Sequence, residues 1–128
     1  MMNSEFNPGQ LTKNFCINEF LKSKTAEANG YREQYQPPDY VIDNIERLCV
    51  KVLQPVRNHI GTGYIKVTSG YRCQRVNTKV GGKPSSQHLT GEAADLEYYD
   101  AAGQQNNRKI IDAIIELELD VDQVINEN

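Results

Sequence analysis

Ser86-Gln87-His88-Leu89-Thr90-Gly91-Glu92-Ala93-Ala94-Asp95 runs from a polar loop into a strand. Residues 83–90 are polar and include Pro84, which reads as loop. Residues 93–99 alternate, with Ala93, Asp95 and Glu97 on one face and Ala94, Leu96 and Tyr98 on the other. His88 and Asp95 therefore stand seven residues apart across a glycine, at a corner that can bring an imidazole and a carboxylate together. Zinc takes nitrogen and oxygen ligands of this kind at roughly 2.0–2.2 Å. Gly91 permits a tight turn, and the small Ala93 and Ala94 let the strand pack closely. The spacing alone occurs often by chance, and a lone His in a polar loop is most often an exposed bystander.

Working outward, residues 64–69 (YIKVTS) form a second alternating, β-branched strand, after which Gly70 turns the chain. Residues 72–80 read as a short helix stopped by Gly81-Gly82. Upstream, Pro37-Pro38-Asp39 opens a long helix whose apolar period runs from Val41 through Ile45, Cys49 and Val56 to Ile60. Pro55 should kink or divide it, and Gly61 and Gly63 end it. Residues 11–21 are semi-apolar, with Asn18 a candidate cap for a short helix from Glu19. Residues 22–36 read mostly as loop, and residues 1–10 as a tail. Downstream, residues 107–119 carry the isoleucine stripe Ile110, Ile111, Ile114 and Ile115, and residues 121–125 read as a third strand. Few strands intermixed with helices give an α+β class, in a single domain over residues 11–128.

Composition narrows the functions. A hydrophobic fraction of 38% over 128 residues supports one modest core and argues against wholesale disorder. The 14 Lys+Arg against 17 Asp+Glu give a net charge of −3, which argues against a dedicated nucleic-acid binder. No apolar run approaches the roughly 20 residues of a membrane helix. Residues 1–14 show no apolar signal-peptide core, so cytoplasmic synthesis is expected. Cys16, Cys49 and Cys73 are odd in number and form no CxxC, which points to reduced thiols. His59, near the end of the long helix, suits the helix dipole and reads as structural.

The whole string Ser-x-His-x-x-Gly-x-Ala-x-Asp, at Ser86, His88, Gly91, Ala93 and Asp95, resembles the signature of the zinc D-Ala-D-Ala peptidases. That family comprises D,D-carboxypeptidases, D,D-dipeptidases and phage L-Ala-D-Glu endopeptidases, and shares an α+β fold with the Hedgehog signalling domain. A second block, Ser69-Gly70-Tyr71-Arg72 at a strand end, agrees in order and spacing. Leu11-Thr12-Lys13-Asn14-Phe15, Val52-Leu53-Gln54-Pro55-Val56-Arg57 and Val80-Gly81-Gly82 also look like the compact, phage-associated branch. The resemblance implies a small antiparallel sheet packed against the long helix and the second helix. It implies His88 and Asp95 as two zinc ligands, and Arg72 facing the substrate to stabilise the oxyanion formed when water attacks the scissile carbonyl. Ser86 would support the loop or bind substrate, and a plain turn hydroxyl is an equal reading. From SGYR alone, Arg72 reads as a surface ion pair. The implied substrate is the peptidoglycan stem peptide. An endolysin released by a phage holin would reconcile that substrate with the absence of an export signal.

The sequence departs from the family after His88. The family's third ligand is a His near the C-terminus, with an acidic general base three positions before it; here no His follows His88. Gln123-Val124-Ile125 resembles the strand that precedes that motif, so the domain reads as truncated. Glu97, Glu127 and Cys73 are the candidates left by position, and none follows a spacing rule. The alternatives are a non-catalytic module that binds cell-wall peptide, a phage structural component that kept only the fold, and a site completed by another subunit.

Overall fold

The computed structural model describes residues 8–121. Of the expectations above, residues 1–7 of the tail and residues 122–125 of the third strand lie outside the described residues, and Val121 itself is in no regular element. The described residues are α+β, with two small antiparallel sheets.

The chain enters through a hairpin of β1 (Gln10–Thr12) and β2 (Phe15–Cys16), followed at once by α1 (Ile17–Leu21). The helix starts at Ile17, two residues earlier than expected, with Cys16 and not Asn18 at its cap. Glu19 explains this, because its Oε2 accepts from the Cys16 N–H at 2.8 Å and so satisfies an otherwise orphaned donor. Leu11, Phe15 and Phe20 drive this unit into the core.

Residues 22–36 are more ordered than a loop. They hold α2 (Lys24–Asn29) and a 3₁₀ turn at Arg32–Tyr35. Ser23 caps α2 by accepting from the Ala26 N–H at 3.0 Å, and Gly30 closes it in the left-handed region. The stretch shows no apolar period because α2 buries only Ala26.

The long helix is divided as Pro55 suggested. It comprises α3 (Asp39–Leu48), a π-helical turn at Cys49–Leu53, and α4 (Gln54–Ile60). Pro55 has no N–H to donate into the preceding turn, and the widened turn just before it absorbs the missing bond. Val41, Ile45, Cys49, Leu53 and Val56 keep one buried face across all three pieces. Leu53 is only 2% exposed. Leu53→Ala is expected to cost about 2–5 kcal/mol, read from the midpoint of urea unfolding at unchanged m-value.

The second sheet positions the site. β3 (Tyr64–Ser69) pairs antiparallel with β4 (Asp95–Tyr99), Tyr64 opposite Tyr99 and Val67 opposite Leu96. The register slips between Val67 and Ser69, at the end that carries Asp95. Ile65, Val67 and Tyr98 face the core, while Tyr64 and Tyr99 stack on the other side with ring centroids 5.2 Å apart. α1 packs on β3, and α6 (Arg108–Glu116) packs on α4 with Ile110 and Ala113 buried. Across that contact His59 meets Glu116 at 3.4 Å, a helix-end pairing. α5 (Gln74–Lys79) begins two residues later than expected, so Arg72 lies on an extended connection and not on a helix. All three thiols are unbridged, and burial pushes the Cys49 thiol far above its ordinary value.

Candidate functional site

The connection from β3 to α5 is held on both sides by backbone partners. Gly70 packs against α1, where a Cβ would stand 2.7 Å from the Phe20 Cα. The Tyr71 N–H donates to the Phe20 carbonyl at 2.8 Å. Gln34, fully buried in the 3₁₀ turn, reaches the same segment from the other side. Its Nε2 donates to the Leu21 and Tyr71 carbonyls at 3.0 and 2.8 Å, and its Oε1 accepts from the Cys73 N–H at 2.8 Å. Between these anchors the Arg72 N–H donates to the His88 carbonyl at 3.0 Å. Nearly every backbone polar group of the segment is thus paired, as burial demands.

His88 sits in a second 3₁₀ turn, Gln87–Thr90. Ser86 caps that turn, its Oγ accepting from the His88 N–H at 3.2 Å. The His88 Nδ1 lies 2.6 Å from the Gly70 carbonyl oxygen. A carbonyl only accepts, so Nδ1 carries the proton, which leaves Nε2 as the ring nitrogen available to a ligand. That Nε2 stands 3.6 Å from Asp95 Oδ1. Arg72 completes the group, its Nη2 lying 3.9 Å from Asp95 Oδ2 and its Nη1 3.5 Å from Asn77 Oδ1. Asn77 is itself buried and donates to the Lys83 carbonyl at 2.9 Å. Gly82 leaves room for this bridge, since a Cβ there would collide with Asn77 Oδ1.

His88 and Arg72 are 12% and 22% exposed at their side chains, whereas Asp95 is 55% exposed. The contact with the His88 imidazole, followed by that ring's charge and the Arg72 guanidinium, holds the Asp95 carboxyl below its usual value against the opposing effect of burial. Asp95 is therefore an anion across the neutral range. At 3.6 Å the pair is too long for a hydrogen bond. Two ligands about 2.0–2.2 Å from a tetrahedral zinc stand about 3.3–3.6 Å apart, so the two donors fit adjacent zinc positions.

A third donor is missing from the described residues: no group of three His, Cys, Asp or Glu side chains gathers there. Cys73 is buried in the core, and Glu97 accepts from the Tyr99 hydroxyl at 2.7 Å. Glu127 lies outside the described residues. The structure thus brings together Arg72, His88 and Asp95, with Ser86 as the cap of the His88 turn. Gln34 and Asn77 carry no signal legible in the sequence, because a buried amide bound to backbone has no periodicity to betray it.

Gln34 is flanked by an outer clamp. Arg75 forks onto Glu33 through Nε–Oε2 and through Nη2–Oε1 at 2.6 Å, and its guanidinium lies 4.2 Å from the centre of the Tyr31 ring. Hydrogen bonding from Arg75 lowers the Glu33 carboxyl from 4.5 to about 2. A depressed carboxyl contributes stability that is complete above its unfolded value and is lost as pH falls through the folded one. The Glu33 carboxyl carbon is expected to titrate near 2 by NMR, and Arg75→Ala to return it to the ordinary range.

A family model described as peptidase M15 matches residues 13–114, well over half of the chain and inclusive of every residue of this site. No curated protein and no solved structure gives a significant match. Among the described residues no helix is long and apolar enough to cross a membrane.

Proposed function

This chain belongs to the peptidase M15 family, and from that premise we propose that it serves zinc-dependent hydrolysis of peptidoglycan stem peptides, at a D-Ala-D-Ala or L-Ala-D-Glu type of bond. Peptidases of this family are zinc-dependent in general. The observation that carries the reading is the His88–Asp95 pair, with Nδ1 committed to Gly70 and Nε2 held 3.6 Å from Oδ1. When bound, zinc supplies the Lewis acidity that activates water and polarises a peptide carbonyl. His88 and Asp95 hold the metal, one as a neutral nitrogen and the other as a carboxylate. Arg72 is permanently charged and directs its guanidinium to the same spot, where it stabilises negative charge developing on the carbonyl oxygen. Ser86 keeps the His88 turn closed. We place the reaction outside the cytoplasm, reached by phage-type release.

A second reading has its own support. With two donors and no third among the described residues, the same surface would bind stem peptides without cutting them. Incubation of the chain with zinc and purified muropeptides separates the two, using mass spectrometry for new termini and calorimetry for binding. Hydrolysis that falls about 10²–10³-fold in Arg72→Ala supports the peptidase. Saturable binding without new termini supports the binding module. Neither hydrolysis nor binding would overturn both.

A further inference from the structure

We propose that Gln34 is the positioning residue for Arg72, so that the turn after α2 sets where the guanidinium meets the substrate. The inference rests on Arg72 facing the peptide as proposed above. Gln34 is 0% exposed in a polar stretch with little other burial, which is costly for an amide unless its hydrogen bonds are made. All three of its partners are backbone groups, and two of them, the Tyr71 carbonyl and the Cys73 N–H, flank Arg72 on either side. The third, the Leu21 carbonyl at the end of α1, ties the segment to the core. One side chain therefore ties the end of α1 at Leu21 to the Tyr71–Cys73 connection, two stretches far apart in sequence. The bridge is braced from the surface by the neighbouring Glu33–Arg75 fork and the Tyr31 ring. Gln34 also lies one step from the metal ligands. The Gly70 carbonyl that fixes the His88 ring and the Arg72 N–H that holds the His88 carbonyl belong to the same stretch of chain.

Loss of either end of the amide has a separable meaning. Gln34→Glu keeps an acceptor for the Cys73 N–H and loses the donors to Leu21 and Tyr71. Gln34→Leu loses all three bonds at similar volume. The test uses the 128-residue chain and follows the Arg72 Nε–H by NMR relaxation, beside binding of a diacetyl-lysyl-D-Ala-D-Ala peptide. The control is Val56→Ala, a buried substitution in α4 that lowers stability and removes none of the Gln34 hydrogen bonds. The Arg72 Nε–H order parameter is expected to fall in Gln34→Leu, and less so in Gln34→Glu. Peptide affinity should drop about tenfold in Gln34→Leu, and that drop should vanish in an Arg72→Ala background, where there is no guanidinium left to place. Val56→Ala should leave the order parameter as it is. An unchanged Arg72 order parameter in folded Gln34 variants overturns the inference, and Gln34→Glu decides it if Gln34→Leu does not fold. A lowered order parameter with peptide affinity indifferent to both Gln34→Leu and Arg72→Ala leaves the positioning intact and overturns the substrate role of Arg72.

Discussion

Replacing His88 with alanine is expected to lower zinc affinity by more than about 100-fold, because losing even an outer hydrogen-bond partner of a ligand costs about 10–100-fold. His88 is the side chain whose ring geometry is fixed from behind, with Nδ1 on the Gly70 carbonyl and Nε2 aimed at Asp95. Asp95→Asn should have a similar effect while preserving shape, because it removes the anion and leaves a neutral amide opposite the imidazole. Arg72→Ala should act in the other direction, since it takes away a cation 3.9 Å from the same carboxylate. The pH response carries a further sign. The depressed carboxyl of Asp95 keeps it ionised into mildly acidic solution, so binding there is not limited by protonation of that ligand. Competitive titration against a chelating dye, run on the four proteins in one buffer, reads all of this. Equal affinities for wild type and His88→Ala would place the metal elsewhere and remove the basis of the proposed chemistry.

What could be read from the chain divides along a physical line. The 3.6-residue period of α3 to α4 and the alternation of β3 and β4 were legible because one buried face repeats at a fixed interval. The division near Pro55 was legible for a covalent reason, the missing N–H. His88, Asp95 and Arg72 were legible only as part of two motif blocks, and their meeting depends on contacts between segments that no local rule predicts. The Gly70 carbonyl under the His88 ring is such a contact. α2 was missed although Ser23 and Gly30 are ordinary start and stop signals, because a helix that buries a single alanine shows no stripe. Gln34 and Asn77 were missed for a deeper reason. Each is a polar residue made tolerable in the interior by backbone groups brought from elsewhere, and such partners exist only once the chain has folded.

Gly91→Ala is expected to damage both the fold and the site, and its comparison with Gly81→Ala isolates the cause. Both glycines have positive φ, +79° and +76°. A residue with a Cβ pays roughly 1–2 kcal/mol for that conformation wherever it occurs. At Gly81 nothing lies within 4 Å of the added carbon, so the backbone term is the whole effect. At Gly91 the carbon would stand 2.7 Å from the Val41 carbonyl oxygen and 2.9 Å from Ile45 Cγ1. The first belongs to the backbone of α3 and the second to a fully buried side chain, so neither can retreat without moving the helix. Overpacking of this kind adds about 1–3 kcal/mol, giving roughly 2–5 kcal/mol in total. For a chain of this size that lowers Tm by roughly 7–19 °C. The damage should not stay in the core. Gly91 closes the His88 turn, and the same turn is tied to α3 by Asn44 donating to the Thr90 carbonyl at 2.9 Å. Pushing the turn off α3 swings His88 relative to Asp95, so zinc affinity should fall in Gly91→Ala and hold in Gly81→Ala. Equal Tm losses in the two variants would mean that the turn does not rest on α3, and the account of how the fold aims His88 would fail with it.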